Sequence, residues 1–110
     1  MKYFESTHDL KGNYLSVSGQ VEELIGFTPE ELVGTNAYDY FNYDDLTRIV
    51  KQHASNISDE DIIKRVEYRI RCKDGNYLWV STVSYREQDI LYTKTNKMGF
   101  IQVLFKKLGL

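Results

Sequence analysis

The run Val66-Glu67-Tyr68-Arg69-Ile70-Arg71-Cys72-Lys73-Asp74-Gly75-Asn76-Tyr77-Leu78-Trp79-Val80-Ser81-Thr82 constrains the fold more than any other stretch of this chain. Two alternating segments flank a Lys-Asp-Gly-Asn turn, which predicts a long β-hairpin. Strand periodicity puts Val66, Tyr68, Ile70 and Cys72 on one face, with Glu67, Arg69 and Arg71 on the other. A hairpin that is apolar on one side needs a cover. In 110 residues that cover has to come from the helical segment upstream, and a curved sheet closed by small helices encloses a pocket.

The length fits one domain spanning residues 1–110, with a core from about Tyr3 to Lys106 and no need of covalent staples. A net charge of −2 with both signs interspersed gives no electrostatic footprint for nucleic acid or an anionic membrane. One cysteine, Cys72, excludes an internal disulfide and suits a reducing compartment. No apolar run approaches a membrane span and no signal-peptide pattern opens the chain. The expected setting is therefore cytoplasmic, within a larger parent protein.

Upstream, Tyr3 to Val17 reads as a first hairpin turning at Asp9-Leu10-Lys11-Gly12,. Val21, Leu24 and Ile25 have helical spacing and Gly26 ends that helix,. Thr28-Pro29-Glu30-Glu31 is a helix start, with a capping threonine, proline at the first position and glutamates at the positive dipole end,. An aromatic-rich segment from Thr35 to Tyr43 follows. Asn42, Asp44 and Asp45 then open the main helix, whose stripe is Leu46, Ile49, Val50, His53 and Ile57,. After a polar loop around Lys94-Thr95-Asn96-Lys97, the last strand is expected over Gly99–Lys106. Its faces, Phe100/Gln102/Leu104 and Ile101/Val103/Phe105, are both largely apolar,.

Four pieces of this sequence, in order, resemble a PAS domain of the third PAS-fold type. They are Asp9-Leu10-Lys11-Gly12-Asn13-Tyr14 with Val17-Ser18; Leu24-Ile25-Gly26-Phe27-Thr28-Pro29-Glu30-Glu31-Leu32-Val33-Gly34; Asn42-Tyr43-Asp44-Asp45-Leu46; and Tyr68 through Val80. The resemblance implies an α+β fold: a five-stranded antiparallel sheet of order 2-1-5-4-3 with short helices packed on one face. It also implies a sensory or regulatory module of a larger signal-transduction protein, such as a histidine kinase of a two-component system, and not an enzyme by itself. Such a module binds a small ligand in its core, relays a signal by dimerisation, or both. The alternative is an interaction module with a filled core. A cavity of roughly 300 Å³ or more would favour a ligand, and a packed centre would favour interaction.

A five-residue connection in the central hairpin is expected to pair Ile70 with Val80 and Arg71 with Trp79, giving the arginine an indole partner. The pocket wall is then Tyr68, Ile70, Leu78, Val80 and Thr82, facing Leu46, Ile49, Val50 and His53. By analogy with the family, Gln102 points inward from the last strand. The expected ligand is small and mostly apolar. Trp79, Val83, Ile101, Val103 and Phe105 form an outer patch too large to stay bare, which predicts a homodimer, a flanking helix or an output domain docked there.

Cofactor chemistry finds little support in the residues. Haem-binding relatives carry their histidine near the start of the main helix, where Leu46 stands here, and His53 lies later. Light-sensing relatives carry Gly-Arg-Asn-Cys where this chain has Gly34-Thr35-Asn36-Ala37, so the flavin-reactive sulfur is missing. No metal spacing, nucleophile motif or phosphate-cradling loop is present. Cys72 is expected to be a buried structural thiol. The ending also departs from the family: Lys106-Lys107-Leu108 stands where Asp-Ile-Thr would couple the core to a downstream helix.

Overall fold

The computed structural model describes residues 2–51 and 63–109. The expectations for His53 and Ile57 therefore lie outside the described residues. Strands β1 (Tyr3–His8) and β2 (Tyr14–Gly19) form the first hairpin. Its turn is tied by the Asp9 carboxylate, which accepts from the backbone N–H groups of Lys11 and Asn13 at 2.9 and 3.0 Å. Helix α1 (Val21–Ile25) ends at Gly26 with φ 86°. A side chain is excluded there twice over, by that left-handed backbone and by the Lys73 Cβ, which would lie 3.0 Å from an added Cβ,.

Helix α2 (Pro29–Leu32) is capped reciprocally. Glu31 N–H donates to Thr28 Oγ1 at 3.2 Å, and Thr28 N–H donates to the Glu31 carboxylate at 3.0 Å, an arrangement whose loss costs about 1 kcal/mol. Two 3-10 turns follow, Ala37–Tyr40 and Tyr43–Asp45, started by the side chains of Asn36 and Asn42. Residues 46–51 are helical and are labelled α3. Strands β3 (Lys64–Arg71), β4 (Tyr77–Glu87) and β5 (Ile90–Lys97) complete an antiparallel sheet of order β2-β1-β5-β4-β3, and helix α4 (Phe100–Lys107) closes the sequence of elements.

The sheet order is the expected one, but the fifth strand is not the expected segment. Ile90–Lys97 forms β5, and Phe100–Lys107 is a helix. A run such as Phe100-Ile101-Gln102-Val103-Leu104-Phe105 is apolar at nearly every position, so periodicity alone cannot separate strand from helix. Local chemistry decides for the helix: the Gln102 side-chain oxygen accepts the Gly99 N–H at 2.9 Å, satisfying a donor at the helix start,. Meanwhile β4 and β5 join through only Gln88 and Asp89. Gln88 takes φ 55°, a tight-turn conformation usually given to glycine or asparagine.

The central hairpin also pairs differently from expectation. Ile70 faces Leu78, Arg69 faces Trp79 and Tyr68 faces Val80. The shift is two residues, so every side chain keeps its face. Tyr68, Ile70, Val80 and Thr82 are buried beneath the helices, where Ile70 and Val80 join Phe4, Ile25, Leu32 and Ile49 in the core. Trp79 meets Arg69, with the guanidinium 5.2 Å from the ring centroid, and Arg71 instead lies 5.4 Å from the ring of Tyr40.

Candidate functional site

Between the inner sheet face and the segment from Ala37 to Ile49 lies a cavity of about 90 Å³. Its apolar walls include Phe4, Phe41, Ile49, Val66 and Leu91. Its floor is a field of hydroxyls, because alternate positions of adjacent strands carry Ser6, Thr82, Ser84, Thr93 and Thr95. Tyr68 Oη, Thr82 Oγ1 and Thr95 Oγ1 run in a row at 2.8 and 2.8 Å. A second row joins Thr93 and Ser6 hydroxyls to His8, whose Nε2 lies 2.8 Å from Ser6 Oγ and whose Nδ1 lies 3.2 Å from the Gly12 carbonyl. Donating Nδ1–H to that carbonyl leaves Nε2 to accept from Ser6. Buried polar groups are tolerated when bonded in this way.

Tyr14 completes the floor. It is buried, its ring lies 4.5 Å from His8 and 6.1 Å from Tyr40, and it lines the cavity. Burial, with the Tyr68 and Tyr40 phenols nearby, pushes its ionisation well above the ordinary phenol value,. Tyr68 is raised too, again by burial, with Thr82 and Thr95 pulling the other way. Both phenols are neutral. At the cavity edge, burial raises Tyr38 to about 12. Asn36 fixes this edge by donating to the Lys11 carbonyl and to Asn13 Oδ1, each at 3.0 Å.

A charged clamp joins the helical layer to β3. Asp45, 7% exposed at its side chain, accepts from Arg69 through the backbone N–H, Nε and Nη2 at 2.9, 3.1 and 2.8 Å. Burial alone would raise the Asp45 carboxyl, but the Arg69 bonds hold it below the usual carboxylate value,. Arg69 continues to Trp79, whose ring also carries Lys106 Nζ at 5.7 Å. Lys106 pairs with Glu67 at 2.8 Å. The indole is thus shared by two cations, and α4 lies against the outer face at the Trp79 end of the sheet.

Of the residues expected to line the pocket, Ile49, Tyr68 and Thr82 reach the cavity. Ile70 and Val80 are buried in the neighbouring core. Leu78 is half-buried against it and Leu46 is half-buried away from the cavity. Val50 is 46% exposed. Gln102 caps α4 and is exposed, on the opposite side from the cavity, because its segment is a helix. Trp79 and Val83 do face outward on β4, half-buried. Ile101, Val103 and Phe105 are carried on α4 instead of a strand, with Val103 half-buried and the other two exposed. Cys72 is half-buried, and burial followed by Asp74 raises its thiol, which keeps it protonated,.

The lining residues that sequence reasoning missed include Phe4, Ser6, His8 and Tyr14 on the first hairpin and Leu91, Thr93 and Thr95 on β5. Both sets have period two. Hydroxyl residues at inward positions hid the β5 pattern, since no alternation of apolar with polar residues marks it.

The PAS fold family profile matches residues 14–89, more than half of the chain. The chain belongs to the PAS family. As a PAS domain it is 29% identical over 94 residues to Protein cycle of Drosophila melanogaster, covering 74% of this chain and 23% of that protein. It is 25% identical over 107 residues to human basic helix-loop-helix ARNT-like protein 1, covering 92% of this chain and 17% of that protein. The PAS domain thus spans about a fifth of these relatives. Among solved structures it is similar to the PAS-B domain of Drosophila melanogaster Cycle. A tryptophan-to-alanine variant with bound glycerol has TM-score 0.79 and 25% identity, over 86% of this chain and 99% of that one. The wild-type domain with bound ethylene glycol has TM-score 0.69 and 26% identity, over 88% and 99%. Neither of these two relatives is a histidine kinase, the parent named among the expectations from the sequence. Among the described residues, no helix is long and apolar enough to cross a membrane, and no cluster of three metal-ligating side chains occurs.

Proposed function

We propose that this PAS domain is the sensory module of a larger intracellular regulator, of the kind its helix-loop-helix relatives represent, with its state set by a molecule of a few heavy atoms. The observation that carries this reading is the hydroxyl-floored cavity of about 90 Å³. That volume lies well below the pockets of drug-sized ligands, which argues against haem and flavin as well as against a large apolar ligand. Two similar PAS-B structures hold glycerol and ethylene glycol, molecules of the size this reading requires. Ligand control needs the occupant to prefer one conformational state. Native mass spectrometry together with a visible absorption spectrum tests this. A colourless protein whose thermal midpoint rises with a small polar additive supports the reading. A bound chromophore, or indifference to every small additive, refutes it.

A second reading, self-association, is favoured by one observation. The outer side carries two exposed apolar surfaces, one on α4 and one on the sheet. Helix α4 leaves Phe100, Ile101 and Phe105 exposed, with Leu108 exposed at its C-cap, while Tyr85 and Tyr92, stacked at 5.2 Å beside Val83, are uncovered on the sheet. A two-fold axis would seat the helix of each copy on the open sheet of the other. Phe105→Asp should then convert a dimer to a monomer in sedimentation; an unchanged state for both proteins would exclude a homodimer through this face.

A further inference from the structure

We infer that the cavity is built for a neutral molecule offering two oxygen acceptors, and that Tyr14 is the residue that selects it. This rests on the sensory reading above and adds the chemistry of the ligand. The phenol of Tyr14 is buried, lines the cavity and makes no hydrogen bond among the described residues. A buried O–H without an acceptor is rare, because it has lost its bonds to water and gained none in exchange. The Tyr68–Thr82–Thr95 row adds a second donor, because three hydroxyl protons meet only two contacts at hydrogen-bond distance. The cavity therefore presents two unspent donors to its occupant.

That arithmetic selects the ligand class. An ammonium group has no lone pair to offer and would leave both donors unsatisfied. A carboxylate has lone pairs, but the described lining contains no lysine or arginine, and both nitrogens of His8 are engaged. Burying an unpaired anion costs more than these hydroxyls return. A neutral diol or small amide meets both donors, and its carbons meet Phe41, Ile49 and Leu91.

The test is an NMR titration of the isotope-labelled protein with 1,2-propanediol, sodium acetate and propylammonium chloride, on the wild type, Tyr14→Phe and Thr95→Val. The diol should give saturable shifts at Tyr14, Thr82 and Thr95, and the two ions should give none there. Tyr14→Phe should weaken diol binding about five- to tenfold while its unliganded thermal midpoint holds or rises, since the phenol has no partner to lose. Thr95→Val should weaken diol binding by about the same factor. A lowered midpoint for Tyr14→Phe, or unchanged diol affinity in that variant, overturns the role of Tyr14. Stronger binding of acetate or propylammonium overturns the ligand class and leaves the sensory reading standing. Absence of site-specific shifts with all three probes overturns both.

Discussion

The two faces of one sheet handle polar residues in opposite ways. On the inner face Ser6, Thr82 and Thr95 are buried and bonded to neighbouring hydroxyls or to His8. On the outer face Thr7 and Ser16 share a 2.6 Å contact in solvent, and Trp79 is flanked by Arg69 and Lys106. Adjacent residues of β4 therefore live under different rules: an inner polar group must have its partner, whereas an outer one has water as a substitute. The proposed ligand reading concerns the inner side, and the self-association reading concerns the outer side.

Substitutions at paired positions can break this contrast, and the largest effect is expected in the core. Ile70→Ala should cost about 3 kcal/mol in denaturant unfolding, while Val83→Ala on the outer face should stay under about 1 kcal/mol; equal losses would mean that the faces are not distinct. Next comes the clamp at the sheet edge. Asp45→Ala leaves the Arg69 guanidinium without its main partner, and because Arg69 is 31% exposed at its side chain, the loss should be about 2 kcal/mol, below that of a fully buried pair. The Asp45 carboxyl is held down in the folded protein. Its contribution is thus complete above the unfolded value of about 3.9 and disappears as pH falls through the lower folded value. Asp45→Asn should flatten the acid limb of stability against pH, and an unaltered limb would remove Asp45 from the explanation.

A finer contrast lies one residue apart on β4. Thr82→Val should cost about 1–2 kcal/mol by stranding Tyr68 and Thr95, and Ser81→Val within about 0.5 kcal/mol. The smallest effect should come from the outer-face latch. Lys106→Gln should change stability by under about 1 kcal/mol yet shift the emission of Trp79, the single tryptophan, as α4 loses its hold. The same shift should appear in the wild type as acid protonates Glu67, whose carboxyl is held low chiefly by the Lys106 bond. Emission that ignores both changes would show that α4 does not rest on that ring.

Much of this architecture was legible in the sequence because its signals are chemically specific. Asp9-Leu10-Lys11-Gly12 and Lys73-Asp74-Gly75-Asn76 name their turns, Thr28-Pro29-Glu30-Glu31 names its cap, and the alternation about Ile70 sorts the faces correctly even with the register two residues off. The β4–β5 hairpin gave no such signal, since Gln88-Asp89 is an unusual tight turn and the inward side of β5 is two threonines and a leucine. With a polar loop expected around Lys94-Thr95-Asn96-Lys97, the apolar Phe100–Phe105 run is the remaining candidate for a fifth strand. The hydroxyl floor of the cavity is shared among β1, β4 and β5, and only Thr82 of it stands among the residues expected to line the pocket. Tyr14 was visible as a strand residue, but an unpaired phenol is a property of packing that no spacing rule exposes.

A high-resolution crystal structure of the protein soaked in 1,2-propanediol would test the central claim most directly. The account predicts the diol in the cavity, one oxygen accepting from the Tyr14 phenol and the other from the Tyr68–Thr82–Thr95 row. A cavity filled by side chains, with the Tyr14 hydroxyl bonded to the protein itself, would contradict it.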